Sequence, residues 1–234
     1  MPRLRPLADE LWEATDDLRL PGGVWFPVRM TVIRSGGELT LWSPIAIDDA
    51  LAAELETLGP VTRLVAPNCF HHLYLADARA RFPEAALLGA PGLATKRSDL
   101  DFDGELGAES REDLELIPTI GIPRMEEVVA LHRPTGTLIV TDLVFHVLKA
   151  RGLMSWFTFR VVAGTLGHCG QSRLLRWWTE DREAFAASLD AILARDFDRL
   201  VMAHGEVIET GGHAALTEAT ARARSVLRAL PAPG

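Results

Sequence analysis

The chain of 234 residues is 48% hydrophobic and 24% charged, with a formal net charge of −8. A chain of this size and balance can bury a core that needs no disulfide staples, so one globular domain spanning 1–234 is expected. The negative charge argues against partners held by long-range attraction, so neither nucleic acid nor an acidic membrane surface is expected.

The N-terminal stretch MPRLRPLADELW has no apolar signal core, and no uncharged apolar run is long enough to span a bilayer. Cys69 and Cys169 are the two cysteines. Far apart in the chain, they suit a reducing compartment better than a disulfide framework, and a cytoplasmic location is expected.

In chain order, Val28–Arg34 and Glu38–Trp42 alternate around Ser35-Gly36-Gly37, which predicts a β-hairpin. Asp48–Leu58 has helical spacing and stops at Gly59-Pro60. Thr62–Ala66 reads as a short buried strand, Leu73–Phe82 as a helix and Ala85–Leu88 as another short strand. The stretch from Asp99 to Glu115 is acidic and irregular, with a strand predicted over Asp113–Pro118. A second hairpin is predicted from Glu127–His132, the turn Pro134-Thr135-Gly136 and Thr137–Thr141. Helices follow over Arg173–Trp178 and Arg182–Ala194, then a strand over Arg199–Ala203. Gly212–Leu230 reads as a last helix, closed by Pro231. The pattern predicts an α/β sandwich with a hairpin in each half.

Three segments share one design: TRLVAPNCFHH, TLIVTD and RLVMAHG each run from a short apolar strand into a metal-ligating side chain. Loops at strand ends carry sites because the sheet holds their side chains rigidly. The candidate ligands are His71, His72, Asp142 and His204. Imidazoles with one carboxylate suit a single divalent ion, zinc ahead of iron. His71 and His72 precede a predicted helix, whose N-terminus disfavours imidazolium and keeps both rings able to bind metal. The alternative is that these histidines are satisfied polar groups of a metal-free protein.

The joint pattern resembles the metallo-β-lactamase-fold superfamily over most of the chain. MTVIRSGGELTLWSPI is similar to that family's opening hairpin, and TRLVAPNCFHHLYL to its strand followed by H-x-H-x-D-H. HRPTGTLIVTD and RLVMAHGEVI are similar to the stretches leading to its bridging Asp and its last His. The resemblance implies a single-domain αββα sandwich with a metal-dependent hydrolytic site. In this register Pro67 and Cys69 stand where the family has its first two histidines, and His71 where it has Asp. The turn Gly121-Ile122-Pro123-Arg124 stands where the family has a further His. The resemblance therefore implies a degenerate motif. One pocket is lost, and one, made of His71, His72, Asp142 and His204, is retained.

The leading reading is a hydrolase that activates a water on one ion and acts on a small molecule of unspecified class. Tyr74 or Arg124 is the candidate to polarise it. The alternative is a non-catalytic, metal-free binding or scaffold protein on the same fold.

Other features carry structural readings. Asp99-Leu-Asp101-Phe-Asp103-Gly104 opens like a calcium loop but lacks its closing Glu, so a solvated acidic loop is expected. The aromatic segment around Trp156, Phe157, Trp177 and Trp178 reads as core cover or a homodimer contact ahead of a substrate lid. Cys69 reads as a small buried hydrophobe.

Overall fold

A computed structural model describes residues 3–109 and 111–228. Two sheets face each other with helices on both outer sides. Strands β1 (Arg5–Ala8), β2 (Leu11–Leu20), β3 (Val24–Ser35) and β4 (Glu38–Trp42) form an antiparallel run. It continues in parallel through β5 (Val61–Ala66), β6 (Ala86–Gly89) and β7 (Gly104–Glu105), giving seven strands in sequence order. The second sheet has four strands in the order β11 (Arg199–Met202), β10 (Thr137–Val140), β9 (Val128–His132), β8 (Leu114–Pro118). Its β10 and β11 are parallel and the other pairs antiparallel.

The short apolar runs are apolar on both faces because both faces are buried. In β5, Leu64 packs under the helices and its neighbour Val65 packs between the sheets. Leu138 and Ile139 of β10 divide in the same way, as do Leu200 and Val201 of β11. Each such fully buried Leu or Ile contributes about 1.5–3 kcal/mol. On the outer side of the seven-stranded sheet lie α1 (Asp49–Leu58), α2 (Leu75–Arg81) and α3 (Leu93–Lys96). On the outer side of the four-stranded sheet lie α6 (Arg182–Leu193) and α7 (Gly212–Arg228).

Local chemistry sets the helix ends. Asp48 caps α1 by accepting from the Leu51 amide, and Asp181 caps α6 through the Ala184 amide. Gly59 ends α1 with φ +147, where a Cβ would lie 2.3 Å from the Gly37 carbonyl oxygen. Only glycine allows that approach. The predicted stop of α7 at Pro231 lies outside the described residues.

Both predicted hairpins form, but the longest strand pairing is one that the strand pattern missed. β2 pairs with β3 over ten residues, from Leu11↔Ile33 to Leu20↔Val24. Its sequence, LWEATDDLRL, carries four charges, and its fully buried residues are only Leu11 and Glu13 on one face and Ala14 on the other. Buried Glu13 accepts from the Nε of buried Arg29 at 2.5 Å. That guanidinium also donates to the carbonyl of Met202 and, at 2.7 Å, to that of Gly205. This ion pair ties the first sheet to the loop after β11. Gly205 sits there with φ +104, and a Cβ would lie 2.1 Å from the His146 carbonyl oxygen.

The aromatic segment is α4 (Gly152–Phe157) running into a wider π-type turn over Thr158–Ala163, followed by α5 (Arg173–Trp178). Ser155 and Phe159 anchor it, while Leu153, Trp156 and Trp177 are exposed. Among the described residues, no helix is long and apolar enough to cross a membrane.

Candidate metal centre

The carboxyl ends of β5, β10 and β11 converge, and each delivers one side chain. Nε2 of His71 and Nε2 of His204 lie 3.2 Å apart. Asp142 completes the triangle, with Oδ2 3.2 Å from His71 Nε2 and Oδ1 3.2 Å from His204 Nε2. Among the described residues this is the one group with the proximity of a metal site. Tetrahedral bonds of about 2.0–2.1 Å place neighbouring donors about 3.3–3.4 Å apart, so the spacing fits one small ion.

The tautomer of His204 sharpens the fit. Its Nδ1 lies 2.7 Å from the Pro27 carbonyl oxygen, which can only accept. Nδ1 is therefore the donor, and a neutral ring turns the Nε2 lone pair into the triangle. Lone pairs of His204 and Asp142 then meet at one point, where a proton or a cation must sit between them. Phe26 and Phe145 flank the ring, at centroid distances of 4.6 and 4.9 Å, and fix its plane. His71 is held from behind by Ser43, whose Oγ lies 2.5 Å from Nδ1. Such outer hydrogen bonds orient ligating imidazoles.

Asp142 is held by groups that strand patterning left unassigned. Asn68 donates to Asp142 Oδ2 at 2.7 Å, and its own Oδ1 accepts from the Phe70 and His71 amides. One amide side chain thus ties two ligands together. Glu127, fully buried at the foot of β9, accepts from the Thr141 amide at 2.7 Å and the Asp142 amide at 2.8 Å. Burial, and then the Asp142 charge, push its carboxyl up to about 7 against those hydrogen bonds. Burial works in the same direction on Asp142, but in the absence of a metal protonated imidazoles at His71 and His204, through charge and hydrogen bonds, outweigh it and hold that carboxyl low. Glu127→Gln keeps one acceptor and leaves one buried amide without a partner, so a loss of about 1–3 kcal/mol is expected in chemical denaturation. An unchanged midpoint would show that Glu127 is no such anchor.

Three of the four candidate ligands meet; His72 does not. Its Nδ1 accepts from Arg97 at 3.0 Å, and the same guanidinium donates to the His72 carbonyl. Burial, then Lys96 and Arg97, lower its pKa. The physical reason is the tight turn over residues 71–74, which sends adjacent side chains in different directions. The helix after it is shorter than predicted, starting at Leu75 instead of Leu73. Tyr74 lines the cavity above the triangle, whereas Arg124 is exposed and is not part of its lining.

The other features resolve structurally. The Cys69 thiol is buried, donates to the Pro91 carbonyl, and has its pKa raised by burial. Asp99 pairs with Arg97, and Asp103 binds Arg79 and the Leu87 amide, which leaves the acidic loop no converging calcium shell. The aromatic segment is more than core cover. Thr158, Val162, Ala163, Leu174 and Trp178 form a wall of the cavity over the triangle.

A two-sheet sandwich with helices outside and a candidate His–Asp–His metal triangle at converging strand ends defines a class of fold. Solved structures sharpen that class to the metallo-β-lactamase fold, which this chain has. The metallo-β-lactamase DIM-1 superposes with a TM-score of 0.67 at 14% identity, covering 96% of this chain and 97% of its own. The metallo-β-lactamase from Pontibacter korlensis gives 0.65 at 14% identity, covering 98% and 100%. FIM-1 from Pseudomonas aeruginosa, in a mono-zinc form, gives 0.65 at 14% identity, covering 98% and 97%. No protein-family model matches the sequence, and no curated protein matches it.

Proposed function

We propose that this chain is a metal-dependent hydrolase holding one divalent ion, zinc ahead of iron, on His71, Asp142 and His204. The observation that carries the reading is the triangle itself, with the two Nε2 atoms 3.2 Å apart and each 3.2 Å from one oxygen of the Asp142 carboxylate. Two imidazoles and a carboxylate are three protein ligands, the number that leaves a coordination position open in catalytic zinc sites. When bound, such an ion supplies Lewis acidity and lowers the pKa of water to about 7. The mono-zinc form of FIM-1 supports zinc on this fold.

The chain's own residues do the rest. Asn68 and Glu127 hold Asp142 in place, and the Pro27 carbonyl sets the His204 tautomer. Tyr74, on the cavity wall, offers a hydroxyl to a bound substrate. Glu127 is sealed behind Asp142, so it is a positioning residue and takes no proton from substrate. His72 is engaged by Arg97 and is left out of this shell.

The test is metal content and turnover of tag-free protein. About one equivalent of zinc is expected, with hydrolysis of an ester, thioester or lactam panel lost on chelation and restored by zinc. Less than about a tenth of an equivalent after zinc and iron are offered would overturn the reading in favour of a metal-free scaffold. An iron spectrum would favour oxidoreductase chemistry, since two histidines and one carboxylate also suit iron.

A further inference from the structure

The triangle lies at one end of a cavity of about 300 Å³. Leu20, Phe26, Ile45, Phe145, Val162 and Trp178 are among its walls, contributed by the first sheet, by the loops after β4 and β10 and by the aromatic segment. The polar lining is confined to the triangle and to the uncharged groups of Ser43, Tyr74, Thr158 and Ser172. Among the described residues, no lysine or arginine lines it. The rim remains apolar where it meets solvent: Leu73 is 57% exposed, Val162 42% and Leu174 38%.

We propose that this cavity takes a neutral, predominantly apolar small molecule, its single polar group facing the His71–Asp142–His204 end. The proposal names the substrate class of the site described above, and it rests on that reading for the ligand's orientation only. Two physical facts select the class. An apolar wall rewards an apolar body at about 25 cal/mol per Å² removed from water. In the metal-free protein used for the test below, an anionic ligand would bring its charge into a low-dielectric space with no lysine or arginine to pair it and with Asp142 already present, whereas a neutral ligand needs no partner charge. Pockets of this size and character are ordinary small-molecule sites, with a few polar groups fixing orientation.

The test uses the neutral fluorophore N-phenyl-1-naphthylamine, with 1-decanol and decanoate as competitors, at pH 8 on chelator-treated full-length protein. Saturable one-to-one binding is expected, with decanol displacing the probe at a concentration at least tenfold below that of decanoate. Leu174→Arg and Val162→Arg, both at partly exposed rim positions on different elements, should each weaken the probe at least tenfold. Leu153→Arg, on an exposed residue outside the cavity, should leave binding unchanged. Absence of saturable binding, equal competition by decanoate, or equal behaviour of the three arginine variants would overturn the proposal. The readout needs no metal. Failure to bind zinc with intact probe binding would therefore sink the hydrolase reading alone, and the reverse result would sink the substrate class alone.

Discussion

Asp142→Ala and His204→Ala are each expected to lower zinc affinity by at least about a hundredfold. Loss of a supporting hydrogen bond alone costs about 10–100-fold, and removing a ligand should exceed that. The effect should be this large because both ligands are set by buried partners that no neighbouring side chain can replace. His204 is fixed by the Pro27 carbonyl and two aromatic rings. Asp142 is fixed by Asn68 through its side chain and by Glu127 through its backbone. His71→Ala should behave alike, while His72→Ala should leave affinity unchanged because its ring faces Arg97. Zinc titration against a competing chelator, with total metal measured after dialysis, checks all four. Unchanged affinity in Asp142→Ala or His204→Ala would refute the shell. A His72→Ala loss as large as theirs would place that ring inside it.

Arg29→Ala is expected to destabilise the fold by about 3–5 kcal/mol, the usual consequence of removing one partner from a buried ion pair. Arg29 and Glu13 are 4% and 1% exposed, so water cannot replace what is lost. The substitution leaves Glu13 with Arg5 alone, and it strips a donor from the carbonyls of Met202 and Gly205. Those carbonyls flank His204, so zinc affinity should fall together with stability. Lysine is a poor substitute, because a single ammonium on a flexible stem cannot reproduce the fork that reaches three acceptors. The double replacement Arg29→Met with Glu13→Leu should recover most of the loss, since an apolar pair carries no desolvation cost. Urea denaturation measures each variant. A loss under about 1 kcal/mol for Arg29→Ala would show that the pair does not hold the sheets together.

By itself the sequence determined the layered α/β plan, both hairpins and the three strand ends that carry His71, Asp142 and His204. These were legible because the signals are local. A short strand buried on both faces must be apolar throughout, so the first polar ligand after it stands out. What the sequence did not determine lies in contacts between distant segments. Glu127 is the one charge opening an otherwise apolar strand, a signal that could have marked it. Asn68 lies in an ordinary loop, and Ser43 meets His71 only because the ends of β4 and β5 lie side by side. The charged strand β2 is identified by its partner β3 and not by its own pattern, because the exposed run Thr15-Asp16-Asp17 breaks its apolar alternation. Tertiary structure alone decided that His71 turns inward and His72 outward. Two adjacent residues in a turn have no periodicity to separate them, and only the packing of Ser43 on one ring and Arg97 on the other does so.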